Sequence, residues 1–115
     1  MKWREQLNAR IKHWPQKEQT KLLTEVGEEN RIAELHGFTC QIDDRREIGK
    51  CLFQKGIVRV WLSPDGWCRA VAPGIIDMYV DHRYYHTLAQ ALIDEHPRAI
   101  RNEYGQLQPI PLTRV

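Results

Sequence analysis

No stretch of the sequence approaches the ~20 consecutive apolar residues that a helix needs to cross a bilayer. The N-terminal run MKWREQLNARIKHW is charged throughout and lacks the apolar centre of a secretory signal, so a cytoplasmic protein without a membrane partner is expected. Cysteine is scarce and odd in number: Cys40, Cys51 and Cys68 are the three, at spacings that match no paired zinc-ligand motif. An odd count without a secretory signal argues against a disulfide framework, and each cysteine sits among apolar or alternating residues, which predicts small buried side chains. There is no phosphate-binding glycine loop, no nucleophile elbow and no placeable pair of catalytic carboxylates. The chain is therefore expected not to be an enzyme and to need no cofactor.

What is present suits one soluble α+β domain over residues 1–115, with 42% hydrophobic and 28% charged residues. The charge is uneven. Residues 45–73 hold Arg45, Arg46, Lys50, Lys55, Arg59 and Arg69 against Glu47 and Asp65, a net of +4 in a chain of net +2. A local excess of that kind points to an anionic partner.

Periodicity divides the chain into three regions. Trp3, Leu7, Ile11 and Trp14 recur at helical spacing and predict a helix over 2–14, which Pro15 ends. A second helix is expected over 16–36 with Leu22, Leu23, Val26, Ile32 and Leu35 inward, weakened at Gly27 and closed by a left-handed Gly37. The segment NRIAELHGFT has the spacing that opens a helix-turn-helix. Asp43, Asp44, Arg45 and Arg46 then fall where the second helix needs apolar residues, and Phe38, Cys40 and Ile42 alternate as a strand does. Strands are expected at 38–43, 48–54, 57–62, 67–72 and 75–80, in an antiparallel sheet of three to five strands. A helix over 82–95, carrying Tyr85, Leu88, Ala89, Leu92 and Ile93 on one stripe, follows with a short helical turn up to 104. The tail 106–115, with Pro109 and Pro111, reads as extended.

The hairpin IVRVWLSPDGWCRAVA carries the candidate site. Alternation sends Val58, Val60 and Leu62 one way; counted across the Ser63-Pro64-Asp65-Gly66 turn, Cys68, Ala70 and Ala72 join them. Arg59, Trp61, Trp67 and Arg69 are then left on the other face. Arginine forks onto phosphates or guanine edges and tryptophan supplies rigid apolar area, so these four, with Arg45 and Arg46, are the expected partner contacts.

The run from GIVRVWLSPDGW through CRAVAPG to the segment ending in RNEYG resembles three-stranded-sheet DNA-binding domains, the apetala-type plant domain and the arm-site domain of phage-type integrases. Gly56, Trp67, the alanines at 89 and 91, and the Tyr104-Gly105 pair stand in comparable places over residues 55–105. The family's basic second strand is missing, and Asp77 and Asp81 stand where a basic residue would help. The resemblance implies major-groove readout of duplex DNA by Arg59, Trp61, Trp67 and Arg69. The same pattern is similar to small antitoxins of the HicB type. That likeness implies a protein partner instead, for an inhibitor, antitoxin or immunity protein, and a homodimer stays open. His82 and His86 fall four apart at the predicted helix start, but no recognisable metal motif completes them, and no metal is expected.

Overall fold

The computed structural model describes residues 2–42, 50–71, 82–101 and 104–110. It is an α+β protein with helices first and an antiparallel sheet after them. The chain forms two compact units, Met1–Phe53 and Gln54–Val115.

In the first unit, α1 (Lys2–Ile11) buries Trp3, Leu7 and Ile11 along the stripe expected of them. It stops at Ile11 rather than at residue 14, and the backbone N–H of Trp14 turns back to the carbonyl of Ile11. Pro15 stands at the N-cap of α2 (Gln16–Leu35), where its missing N–H costs no helical hydrogen bond. Gly27 does not divide α2. A Cβ there would lie 3.7 Å from the Trp3 ring, an ordinary van der Waals contact, so the packing against α1 does not require a glycine. α2 buries Val26, Asn30 and Ala33, whereas Leu35, expected inward, is 72% exposed. The helix ends as expected, with Gly37 at φ +82°. The N–H of Phe38 reaches the carbonyl of Ala33 and that of Gly37 the carbonyl of Glu34, the paired bonds of a Schellman motif. Phe38 is buried beyond the cap, followed by β1 (Thr39–Ile42) and β2 (Cys51–Lys55).

The second unit continues with β3 (Val58–Ser63), β4 (Gly66–Val71) and β5 (His82–Tyr85), then α3 (Leu88–Ile93), β6 (Ala99–Arg101) and β7 (Leu107–Pro109). Among the described residues, seven strands are hydrogen-bonded in chain order, against the expected three to five. The additional strands arise where a helix or an extended tail is expected. His82–Tyr85 is paired on both sides, by β4 and by β6, so its backbone groups are satisfied without a helix. The helix expected over 82–95 is therefore only Leu88–Ile93. Thr87 sets its start by a capping box, accepting from the Gln90 N–H at 3.2 Å while the Gln90 side chain accepts from the Thr87 N–H at 3.3 Å. Ala99–Arg101, expected to be helical, is a strand between β5 and β7. The strand expected at 75–80 and the candidate contacts Arg45 and Arg46 lie outside the described residues.

Gly66 has no substitute in the hairpin turn. Its φ is +114°, and a Cβ would meet the Tyr85 carbonyl oxygen at 2.8 Å. The Ser63 hydroxyl fixes the same turn, donating to the Gly66 carbonyl at 2.8 Å and accepting from the Asp65 N–H at 3.2 Å. Among the described residues, no helix is long and apolar enough to cross a membrane.

Candidate nucleic-acid interface

The register of the hairpin decides which side chains share a face. Residues directly opposite in an antiparallel pair point to the same side of the sheet. Ser63 pairs with Gly66, so Leu62 faces Trp67, Trp61 faces Cys68, Val60 faces Arg69 and Arg59 faces Ala70. The expected quartet is thereby split. Arg59 and Trp61 lie with Cys68 and Ala70, whereas Trp67 and Arg69 lie with Val58, Val60 and Leu62. The physical cause is the loop length. With only Pro64 and Asp65 between the paired ends, odd positions oppose even ones, and the alternation changes phase across the turn.

The Trp67/Arg69 side is the face that α3 covers. Leu88, Ala91 and Leu92 are buried there with Val60 and Tyr85. Arg69 Nη1 donates to the carbonyls of Ala91 at 2.9 Å and Leu92 at 2.8 Å. It thus neutralises the carbonyl end of the helix, where a cation is favoured. Arg83, directly opposite Arg69, pairs with Asp94 at 3.2 Å. The Tyr85 hydroxyl donates to the same carboxylate. Burial, and then this hydrogen bond, push the Tyr85 phenol above its ordinary range. Arg69 therefore serves the packing of this face, and half-buried Trp67 lies on the same side.

The opposite face presents two rows. One runs Arg59, Ala70, His82, Arg101, Leu107, and the other Trp61, Cys68, Tyr84, Ala99, Pro109. Cys68, Tyr84 and Ala99 are buried, with half-buried Trp61 packed against them. The Trp61 ring meets His82 edge-on at 5.9 Å between centroids. Arg101 lies over the Tyr84 ring at 5.5 Å, donates to its hydroxyl at 3.0 Å and pairs with Asp65 at 3.0 Å. Burial pushes the Tyr84 phenol up, partly opposed by that hydrogen bond. Arg59 stands exposed at the head of the first row. A cationic, aromatic band of this kind can take an anionic polymer through Arg59 and, partly neutralised by Asp65, Arg101. Trp61 and His82 offer apolar edges beside them.

His82 and Arg101 are functional candidates that the sequence reading missed. The signal was available in the two-residue turn, which assigns the faces, and in Thr87, which places His82 before the helix. His82 and His86 do not share a helix face, since one lies in β5 and the other beyond its end. Among the described residues, no group of three His, Cys, Asp or Glu side chains could hold a metal ion. No protein-family model, curated protein or solved structure matches the chain.

Proposed function

We propose that the protein binds duplex DNA through the sheet face of Arg59, Trp61, His82 and Arg101. The observation that carries the reading is the register, which gathers these four on the side opposite α3. The arrangement β3-β4-β5-α3, with α3 against the Trp67/Arg69 side, supports it by keeping that helix away from these four side chains. The net +4 of residues 45–73 adds electrostatic complementarity to phosphates. Arg59 is the strongest individual contact, being exposed and unburdened by the carboxylate that holds Arg101.

The test is fluorescence anisotropy of a labelled mixed-sequence duplex, titrated at several salt concentrations. Affinity should fall linearly on log–log axes with salt, since counterion release drives binding. Arg59→Ala should weaken binding by roughly 1–3 kcal/mol if the contact is bidentate to a base. A duplex that does not bind at low salt, or an R59A protein of unchanged affinity, overturns the reading.

A protein partner on the same face is the second reading. It is favoured by the near-neutral total charge of +2 and by exposed Leu107 at the end of the Arg59 row. Such an interface would depend weakly on salt.

A further inference from the structure

On the sheet face opposite α3, the Arg101 guanidinium is held at three points. Its Nε donates to the Tyr84 hydroxyl at 3.0 Å, its Nη1 to the Gly105 carbonyl at 2.5 Å and its Nη2 to Asp65 Oδ2 at 3.0 Å. The Tyr84 ring lies beneath the guanidinium and is 5% exposed, so this support is fixed by burial. Tyr84 and Gly105 are neutral acceptors that orient the group. Asp65 is of a different kind. It comes from the hairpin turn and puts a carboxylate on a guanidinium edge suited to any oxyanion, phosphate included. Both side chains stay open to solvent, at 32% for Arg101 and 39% for Asp65. The turn itself does not depend on that carboxylate. The Asp65 carbonyl accepts from Arg98 Nη1, and its N–H donates to Ser63 Oγ at 3.2 Å.

We propose that Asp65 is an internal competitor for a phosphate seat at Arg101 and holds down the affinity of this face for duplex DNA, an inference that rests on the DNA-binding reading above. In the free protein the carboxylate occupies the solvent-facing edge of the guanidinium. When the duplex docks, a phosphate oxygen replaces Asp65 Oδ2 on Nη2, and the carboxylate turns to water. Tyr84 and Gly105 keep the guanidinium in place through the exchange, so the cation meets the phosphate already oriented. The exchange breaks an ion pair and leaves a carboxylate beside a polyanion. An exposed pair of this kind is weak, which makes the competition modest and reversible. Arg59 is then the primary contact, and Arg101 contributes only the part that Asp65 does not cancel. Neutralising Asp65 strengthens binding, which is the opposite of what loss of a contact residue or of a fold-supporting residue does.

The experiment titrates the labelled duplex with the wild type, Asp65→Asn (D65N), R101A and the D65N/R101A double variant, each at several salt concentrations. D65N should bind roughly two- to five-fold more tightly than the wild type, the equivalent of one exposed ion pair. Its log–log salt slope should steepen by up to about 0.9, because Arg101 then neutralises a phosphate with no carboxylate beside it. In the R101A background D65N should lose this gain. An equal gain in that background would make the effect one of net charge rather than of the seat, and would overturn the proposal. If R101A does not fold, the salt slope of D65N decides, and an unsteepened slope overturns it. A duplex bound equally well by the wild type and D65N overturns this proposal alone. A duplex bound by neither overturns it together with the DNA-binding reading.

Discussion

Arg59 and Arg69 look alike in the sequence, each flanked by apolar residues on a strand of the same hairpin. The register separates their roles. Arg59 is exposed, whereas Arg69 caps two carbonyls of α3. One pair of substitutions tests the separation. Arg69→Ala should lower unfolding stability by about 1.5–3 kcal/mol, the range for hydrogen bonds from a charged group. Arg59→Ala should shift stability by no more than about 0.5 kcal/mol, as exposed substitutions do. Urea midpoints with unchanged slopes give both values, and equal losses in the two variants would contradict the register. The alternation of β3 and β4 is legible residue by residue. Alternation along a strand fixes only parity within that strand, however, and the phase between strands comes from the turn. Ser63 and Gly66, the pair that sets this phase, stand in the sequence as a turn signal. Their hydrogen-bond pattern depends on φ +114° at Gly66, which no periodicity encodes.

Element boundaries are legible in the sequence where a local device marks them and obscure where tertiary pairing decides. Gly37 announced the end of α2, and the Trp3, Leu7, Ile11 stripe announced α1. Thr87-x-x-Gln90 marks the start of α3 equally clearly, by the capping box. The apolar stripe from Tyr85 to Ile93 extended the apparent helix backwards, because Tyr85 suits either element. Its burial is decided by strands on both sides, through Trp67 on β4 and the neighbouring Tyr84–Ala99 pair to β6. The strands β6 and β7 are three residues each, too short for alternation to register. A six-residue helix has little stability of its own, so α3 depends on what it buries. Leu92→Ala, at a side chain 4% exposed, should therefore cost about 2–5 kcal/mol in urea unfolding. Loss of the Arg69 contact should accompany it, since that guanidinium bonds the Leu92 carbonyl. An R69A/L92A double variant should then lose less than the sum of the single losses.

At the scale of the whole molecule, stability depends on pH through groups whose burial disfavours their charged forms. Burial pushes the Glu29 carboxyl up first, Lys50 pulls it back, and Glu25 adds to the rise. A raised carboxyl contributes stability fully below its unfolded value, about 4.3, and loses it as pH climbs through the folded value. E29Q should accordingly be more stable than the wild type at neutral pH, and the difference should vanish below about pH 4. The phenols act at the other end. Tyr84 and Tyr85 both hold their protons more tightly when folded, Tyr85 through burial and its bond to Asp94. Their contribution is complete below the unfolded value, about 10, and decays as pH rises through the folded values. Tyr85→Phe keeps the buried ring but deletes the bond to the carboxylate. At neutral pH it should cost about 1.5 kcal/mol, the low end for a hydrogen bond to a charged group, since Asp94 is partly solvated. Above pH ~10 the unfolded wild type gains by ionising a tyrosine that the variant lacks, so the two stabilities should converge. Urea midpoints of both proteins across that range measure the convergence. A gap that stays constant with pH would mean that the Tyr85 phenol ionises as readily in the fold as outside it, and the pairing with Asp94 would be wrong.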